Sequence, residues 1–183
     1  TVSIRNRIEA IVADIPLISV SSFTTEINTA DISAYIEPNF KFKVNFIPND
    51  PHWNKQWGPI KIEADRAWDK QLGSSAILVA VIDTGVDWNH PDLAPNYVSL
   101  GYDWVNNDTD PMDDHGHGTH CAGIIAASLN NSIGIAGLAQ VRIMAEKGLD
   151  QHGEGYEDDL ANAIIHAVDQ GADILSNSWG GYE

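Results

Sequence analysis

The sequence predicts an α/β fold with a mainly parallel sheet and helices on both faces, preceded by a small α+β module. From residue 63 onwards, short apolar strand patterns alternate with helical patterns, which implies right-handed crossovers between parallel strands. Residues 1–48 differ, because no glycine occurs before Gly58 and two prolines, Pro48 and Pro51, make an extended connector. We therefore expect two parts, 1–48 and 49–183.

Two patterns define the first part. Ile4, Ile8 and Ile11 recur at helical spacing, so a helix is expected before Pro16. Apolar and polar residues alternate over 42–46, which is typical of a half-buried strand. The first part is therefore interpreted as a small helix-and-strand module.

The second part contains the elements of the sheet. The continuous apolar run at 77–82 is typical of a strand that is covered on both faces, and it ends at Asp83. Apolar residues share one helical face between Gly155 and Gly171. The other predicted elements are a helix at 63–72, strands at 141–145 and 172–178, and a buried helix that begins at or near His117.

Composition and charge exclude several classes of function. A chain of 183 residues suits one domain with a short appendage, and a net charge of −16 argues against nucleic acid and anionic membranes as partners. The same charge fits a protein that collects divalent cations. Cys121 is the only cysteine, so no intrachain disulfide is expected. No apolar stretch approaches the roughly 20 residues of a membrane span, and the sequence from Thr1 has no signal-peptide pattern.

Residues 113–123 form the most unusual stretch of the chain. Three histidines, His115, His117 and His120, alternate with glycines just before an apolar helix. A histidine at the start of a helix, preceded by an acidic loop, suits a general base, whereas the plainer interpretation is a solvated loop. Reactive groups gather at the carboxyl ends of parallel strands, where Asp83 and Ser178 are expected, so both could meet His117.

Several chemistries compete for these residues. The Asp83-Thr84-Gly85 sequence could belong to an aspartic protease, but that chemistry needs two such carboxylates and only a dimer could supply the second. The three histidines could bind zinc, although the ligand set is incomplete. Cys121 could form a nucleophilic pair with His117, or be a small buried residue. The remaining interpretation is that Asp83 orients His117, which activates a hydroxyl nucleophile.

Three motifs resemble those of the subtilisin-like serine proteases. They are residues 81–87 (Val-Ile-Asp-Thr-Gly-Val-Asp), 89–93 (Asn-His-Pro-Asp-Leu) and 117–123 (His-Gly-Thr-His-Cys-Ala-Gly), in the order found in the family. Residues 130–137 and 176–181 extend the resemblance to the end of the chain. Cys121 and the Asn-Asp-Pro sequence at 49–51 look most like the thermitase-like branch, and residues 36–40 resemble the end of an inhibitory prosegment.

The resemblance implies a calcium-dependent endopeptidase that hydrolyses peptide bonds with an Asp-His-Ser triad. It implies that Asp83 is the triad aspartate and that His117 is the general base. It also implies that Ser178, Trp179 and Gly180 lie on the strand that pairs with an extended peptide substrate.

The resemblance further implies Ca²⁺ as cofactor, bound by hard oxygen donors. The implied ligands of this calcium ion are the side chains of Asp50, Asp92 and Asn131 and the carbonyl groups of Ser128, Ile133 and Ile135. A second, weaker cation site at Asp103, Asp108 and Asp110 is also expected, with a solvated acidic loop as the alternative.

The chain also departs from the family. No Gly-Thr-Ser-Met-Ala segment with the nucleophilic serine occurs, and Glu146 and Gly148 stand where the family usually has apolar or small residues. We therefore expect a prosegment remnant (1–48) joined to the amino-terminal half of a catalytic domain (49–183), inactive alone. Its expected partners are a peptide substrate, its own prosegment and the missing carboxy-terminal half, in the same or a second chain. The expected parent is a secreted zymogen, and the alternative is a non-catalytic relative that binds extended peptides or the prosegment.

Overall fold

The computed structural model describes residues 2–5, 8–11 and 46–181, and the chain divides into two compact units, 1–44 and 45–183. In the first unit, strands β1 (Val2–Arg5) and β2 (Ile8–Ile11) pair antiparallel, with Val2 opposite Ile11. The helix predicted before Pro16 is therefore wrong over these residues. Isoleucine is β-branched and suits a strand, and pairing with a second strand outweighs the helical spacing. The strand predicted at 42–46 lies outside the described residues, except for Phe46, which belongs to no strand.

The second unit contains a four-stranded parallel sheet. Its strand order is β4-β5-β3-β6, so the longest strands, β3 and β5, lie in the centre. This arrangement confirms the predicted parallel sheet. The strands are β3 (Leu78–Asp83), β4 (Tyr102–Asp103), β5 (Arg142–Lys147) and β6 (Ile174–Asn177).

Within residues 46–181, four α-helices surround the sheet or lead into it, and two of them differ from prediction. The helix expected at 63–72 is shorter, because Glu63 adopts a left-handed conformation (φ 57°) and separates it from an unpredicted helix before it. Pro59 lies in the first turn of that earlier helix, where proline is tolerated. The helices are α1 (Trp57–Lys61), α2 (Ala64–Trp68), α3 (His117–Ala126) and α4 (Glu157–Asp169).

The side chains of β3 alternate between two cores, one on each face of the sheet. Val79 and Val81 pack on the side of α3, where they meet its Ala122 and Ala126. On the other face, Leu78, Ala80 and Ile82 pack against α4 around Ala163 and Ala167. The prediction of helices on both faces is therefore confirmed, and every residue of β3 is buried.

Strand β6 forms one edge of the sheet and is only partly covered. Ile174 is 52% exposed, and Ile165 and Val168 of α4 are 59% and 56% exposed. Apolar side chains are thus exposed along this edge and on the neighbouring helix α4. None of the helices that the structure describes has the length and apolar character needed to cross a bilayer.

Candidate active site

Asp83 and His117 face each other at the carboxyl end of β3. His117 Nδ1 lies 2.7 Å from Asp83 Oδ1, and the Asp83 side chain is fully buried while that of His117 is 42% exposed. The opposite edge of the imidazole can therefore meet a reactant, while the carboxylate fixes the ring orientation. His117, rather than His115 or His120, thus contacts Asp83, and its catalytic role stays a prediction.

The backbone around Asp83 is held by the neighbouring strand. In the parallel register Asp83 lies beside Lys147, and the Asp83 carbonyl accepts hydrogen bonds from Gly148 N (3.0 Å) and Leu149 N (3.1 Å). Thr84 N donates to Asp83 Oδ1 at 2.7 Å. Asp83 Oδ1 therefore accepts two hydrogen bonds at a fixed position, from the Thr84 amide and from His117.

The first turn of α3 is held by a carboxylate outside the helix. Asp113 Oδ1 accepts from Thr84 Oγ1 (2.8 Å) and from the amides of His115 (3.0 Å) and Gly116 (2.8 Å), and its Oδ2 accepts from Thr119 N (2.9 Å) and Thr119 Oγ1. Burial raises the pKa of the Asp113 carboxyl, but these hydrogen bonds outweigh it and lower the pKa overall. Asp113 thus remains ionised and ties the end of β3 to the start of α3.

Close backbone approach explains one glycine of the histidine motif. A Cβ atom at Gly118 would lie 2.1 Å from the carbonyl oxygen of Gly85. Gly118 N also donates to Thr84 Oγ1 at 2.9 Å. Only glycine therefore lets α3 approach the loop after Asp83 closely enough for His117 to reach the carboxylate.

Cys121 lies one turn after His117, and it is partly exposed rather than buried as predicted. Its Sγ is 4.0 Å from both ring nitrogens of His117. Burial raises the pKa of the Cys121 thiol, and the charges of Asp83 and Asp113 raise it further, although a hydrogen bond with Ser178 opposes the shift. The thiol is therefore protonated at neutral pH, which argues against a Cys–His nucleophilic pair.

The competing zinc interpretation requires three converging histidines. In the part of the chain that the structure describes, the only three His, Cys, Asp or Glu ligand atoms within 4.8 Å of one another belong to Asp83, His117 and Cys121. His120 instead lines a separate cavity of about 350 Å³ with His52 and His90. The three-histidine zinc cluster is therefore not formed.

Residues 178–180 follow β6 near the Asp83–His117 pair. Trp179 Nε1 donates to the Ile82 carbonyl at 2.8 Å, and its ring packs against the cluster that contains Ile82. Ser178 and Gly180 are exposed. The backbone beside Trp179 is thus fixed by the side chain while the flanking residues stay accessible, which suits pairing with an extended peptide.

The predicted calcium ligands lie around one loop. Asp92 is buried and accepts from Asn131 Nδ2 (2.7 Å) and Ile135 N (3.0 Å), and Asp50 Oδ2 accepts from Asn130 N (2.8 Å). The other oxygen of Asp50, Oδ1, is buried without a hydrogen-bond partner, as is Asp83 Oδ2 at the active site. A Cβ atom at Gly134 would lie 2.3 Å from Asp92 Oδ2.

These contacts fit a hard cation. Buried carboxylates are normally fully hydrogen-bonded, so the unpartnered Asp50 Oδ1 leaves an acceptor for an ion. The Ser128 amide donates to the Asp92 carbonyl, and Ile133 N donates to Asn131 Oδ1, so the predicted ligand residues belong to one hydrogen-bonded loop. The assignment of these residues to calcium stays a prediction.

The residues of the second predicted cation site make hydrogen bonds with their neighbours, and the site stays a prediction. Asp103 binds both nitrogens of Asn106, Asp108 Oδ1 accepts from Asp110 N, and Asp110 Oδ1 accepts from Trp88 Nε1. Each carboxylate thus makes local hydrogen bonds, and among the described residues these three do not form a ligand group within 4.8 Å.

The sequence left the partners of two charged residues on β5 unidentified. Glu146 is fully buried and binds Trp104 Nε1 (2.8 Å) and His166 Nδ1 (2.7 Å), on the face of the sheet that α4 covers. Lys147 is also buried and bonds to the active-site loops. The signal for these contacts was the presence of charged residues in a central strand and of two acidic residues, Asp113 and Asp114, before the histidine motif. The sequence does not show which of these residues pair.

Comparisons with known proteins identify the family of the chain. Residues 74–183 match the family described as the subtilase family. A thermophilic serine proteinase of Bacillus sp. (strain AK1) is 46% identical over 164 residues, which cover 88% of this chain and 41% of the relative. Thermitase of Thermoactinomyces vulgaris is 51% identical over 138 residues, which cover 74% of this chain and 49% of thermitase.

A solved structure shows a similar fold. The crystal structure of a cold adapted subtilisin-like serine proteinase is similar with a TM-score of 0.52 and 27% identity, over 80% of this chain and 44% of that chain. The chain thus spans less than half the length of these relatives. The family match covers more than half of the chain, including Asp83 and His117, and the protein therefore belongs to the subtilase family of serine proteases.

Proposed function

We propose that the whole protein is an endopeptidase in which Asp83 and His117 provide the acid–base half of a serine-protease triad. The observation that carries this proposal is the 2.7 Å contact between His117 Nδ1 and the buried Asp83 carboxylate. His117 Nε2 takes the proton of a serine hydroxyl as the serine attacks the peptide carbonyl, and then gives that proton to the leaving amine. Asp83 holds the imidazole in the required tautomer and stabilises its protonated form.

The nucleophile is assigned to a serine outside the 183 printed residues. The partly exposed β6 edge supports this assignment, because Ile165, Val168 and Ile174 need cover that further strands and helices of the catalytic domain would provide. With residues 1–48 as a prosegment, the protein would be a secreted zymogen. Its substrate would be an extended segment of protein chain that pairs with residues 178–180.

Calcium is the proposed cofactor, and its role is structural. Asp50 and Asp92, with Asn131 and the carbonyl groups of Ser128, Ile133 and Ile135, would hold the ion. The unpartnered, buried Asp50 Oδ1 supports this assignment. A bound cation would offset the repulsion between buried carboxylates, and it would join the connector before α1 to the loop after α3.

The proposal is tested with the full-length protein that contains these residues. Wild type should hydrolyse casein and react covalently with a serine-directed fluorophosphonate. His117→Ala should lower kcat by about 10⁶-fold, because the general base is lost. The matched control is His120→Ala, which removes an exposed histidine one turn along α3 and should leave kcat within about 2-fold. An inert wild type, or equal losses in both variants, would overturn the proposal.

A further inference from the structure

Lys147 is the most deeply buried cation in the described part of the chain. Its side chain is 1% exposed, and its ammonium donates to Thr84 O (2.8 Å), Leu149 O (3.0 Å) and Asp114 Oδ1 (2.6 Å). Burying an ammonium costs several kcal/mol unless its donors are satisfied. Lysine has three N–H donors, and all three have acceptors here. The three acceptors therefore satisfy all the hydrogen-bond donors of the buried ammonium.

Two of these acceptors lie in the segments that carry the proposed catalytic residues. Thr84 follows Asp83 directly, and Asp114 precedes His117 by three residues in the loop that leads into α3. The Thr84 hydroxyl also accepts from Gly118 N in the first turn of α3. The ammonium therefore holds the backbone of Thr84. The Thr84 side chain in turn holds the first turn of α3, which carries His117.

Asp114 is the ionic partner of the Lys147 ammonium. Its side chain is 46% exposed, so in water it would pair weakly with another surface residue. The buried ammonium changes this, because hydrogen bonds between ionised groups are stronger and shorter than neutral ones. Asp114 thus fixes the outer side of the 113–116 loop to β5, while Asp113 fixes its inner side to Thr84.

We propose that Lys147, together with Asp114, is a positioning pair that sets the contact between Asp83 and His117. This inference rests on the proposed peptidase function for its kinetic consequence, but not for its structural one. A displacement of about 1 Å between catalytic groups can cost about 10²-fold in rate. The hydrogen bond between Asp83 and His117 should accordingly lengthen or become heterogeneous when the pair is removed.

The test compares Lys147→Met, Asp114→Ala and the double variant in the full-length protein. Arg142→Met is the matched control, because Arg142 is a cation on the same strand that donates to a backbone carbonyl, Ser75 O, away from the site. One readout is the downfield proton resonance of the His117 Nδ1–H group, which reports the Asp83 contact without any turnover. The other is the separate measurement of kcat and KM on a peptide substrate.

The pair should act as one unit. Lys147→Met and Asp114→Ala should each shift or broaden the His117 resonance and lower kcat by about 10-fold to 100-fold, with KM within about 2-fold. The double variant should lose no more than Lys147→Met alone, and Asp114→Asn, which keeps an oxygen acceptor, should recover part of the loss. Asp114→Ala changes a half-exposed side chain, so it decides the question if Lys147→Met fails to fold.

Folded variants that keep the wild-type resonance and the kcat of Arg142→Met would overturn the proposal, and so would additive losses in the double variant. If the wild type does not hydrolyse peptides, the proposed function fails. The resonance still decides whether Lys147 and Asp114 position His117.

Discussion

The network of Lys147 and Asp113 at the active site and the predicted calcium loop satisfy buried charge to different degrees. At the active site, Lys147 has three acceptors and Asp113 accepts five hydrogen bonds, so the chain itself satisfies these charges. At the loop, Asp50 keeps one buried oxygen without a partner, and Asp92 is bound only by neutral donors. At the active site, Asp83 Oδ2 is also buried without a partner, beside His117, which would become a cation on protonation. The buried charges of Lys147 and Asp113 are therefore satisfied by the chain itself, whereas the proposed cation would complete the loop.

Within this comparison, the largest expected effect comes from removing the charge of Asp83 at the active site. Asp83→Asn should lower kcat of the full-length enzyme by about 10⁴-fold, because an amide no longer selects the tautomer that accepts the serine proton. Steady-state kinetics on a peptide substrate measures this, with the melting temperature showing that the variant is folded. A loss of less than about 10-fold would mean that Asp83 does not orient His117.

The second effect concerns the loop. Calcium at a hundredfold excess over its Kd should stabilise the full-length protein by about 2.7 kcal/mol relative to chelator. Asp92→Asn and Asp50→Ala should each reduce this gain, because each removes a charge from the ligand set. Differential scanning calorimetry with calcium and with chelator measures it. The control Asp158→Asn removes an exposed acid of α4, and an equal calcium gain in all three variants would contradict the assignment.

A smaller effect is expected on stability, at Asp113 in the active-site network. Asp113→Asn should destabilise the protein by about 2 kcal/mol, because an amide nitrogen cannot accept the hydrogen bonds that one carboxylate oxygen receives. The pKa of Asp113 is lowered in the folded state, so its contribution is present above the ordinary value near 3.8 and is lost as pH falls below it. Urea unfolding at pH 7 and pH 3 checks this, since the difference between wild type and variant should shrink at pH 3.

The smallest effect lies away from both regions, at Glu146. Burial raises the pKa of the Glu146 carboxyl, although hydrogen bonds from Trp104 and His166 oppose the shift. The folded state therefore favours the protonated acid, and stability from this group falls as pH rises from about 4.3 through the raised pKa. Relative to Glu146→Gln, wild type should lose stability over this range. Urea unfolding from pH 4 to pH 8 measures it, and a parallel pH dependence of the two proteins would contradict it.

The sequence predicted what depends on local patterns. The apolar run at 77–82 and the histidine motif placed Asp83 at a strand end and His117 at a helix start, and the structure brings the two together at 2.7 Å. The sequence did not predict the partners of Lys147 and Glu146, because pairing between side chains 20 or more residues apart depends on the fold. The error at Ile4 and Ile8 has the same origin, since strand pairing outweighed a helical spacing.

Hydrogen exchange of the full-length protein, with calcium and with chelator, tests most directly whether the loop needs a cation that the Lys147 and Asp113 network does not need. The amides of Asn130 and Ile135, in the loop, donate to the carboxylates of Asp50 and Asp92. The amides of Gly118 and Thr119 donate to the side chains of Thr84 and Asp113 in the active-site network. Chelation should speed exchange at Asn130 and Ile135 by about 10-fold or more and leave Gly118 and Thr119 within about 2-fold. Equal acceleration at both regions, or none at Asn130 and Ile135, would contradict the account.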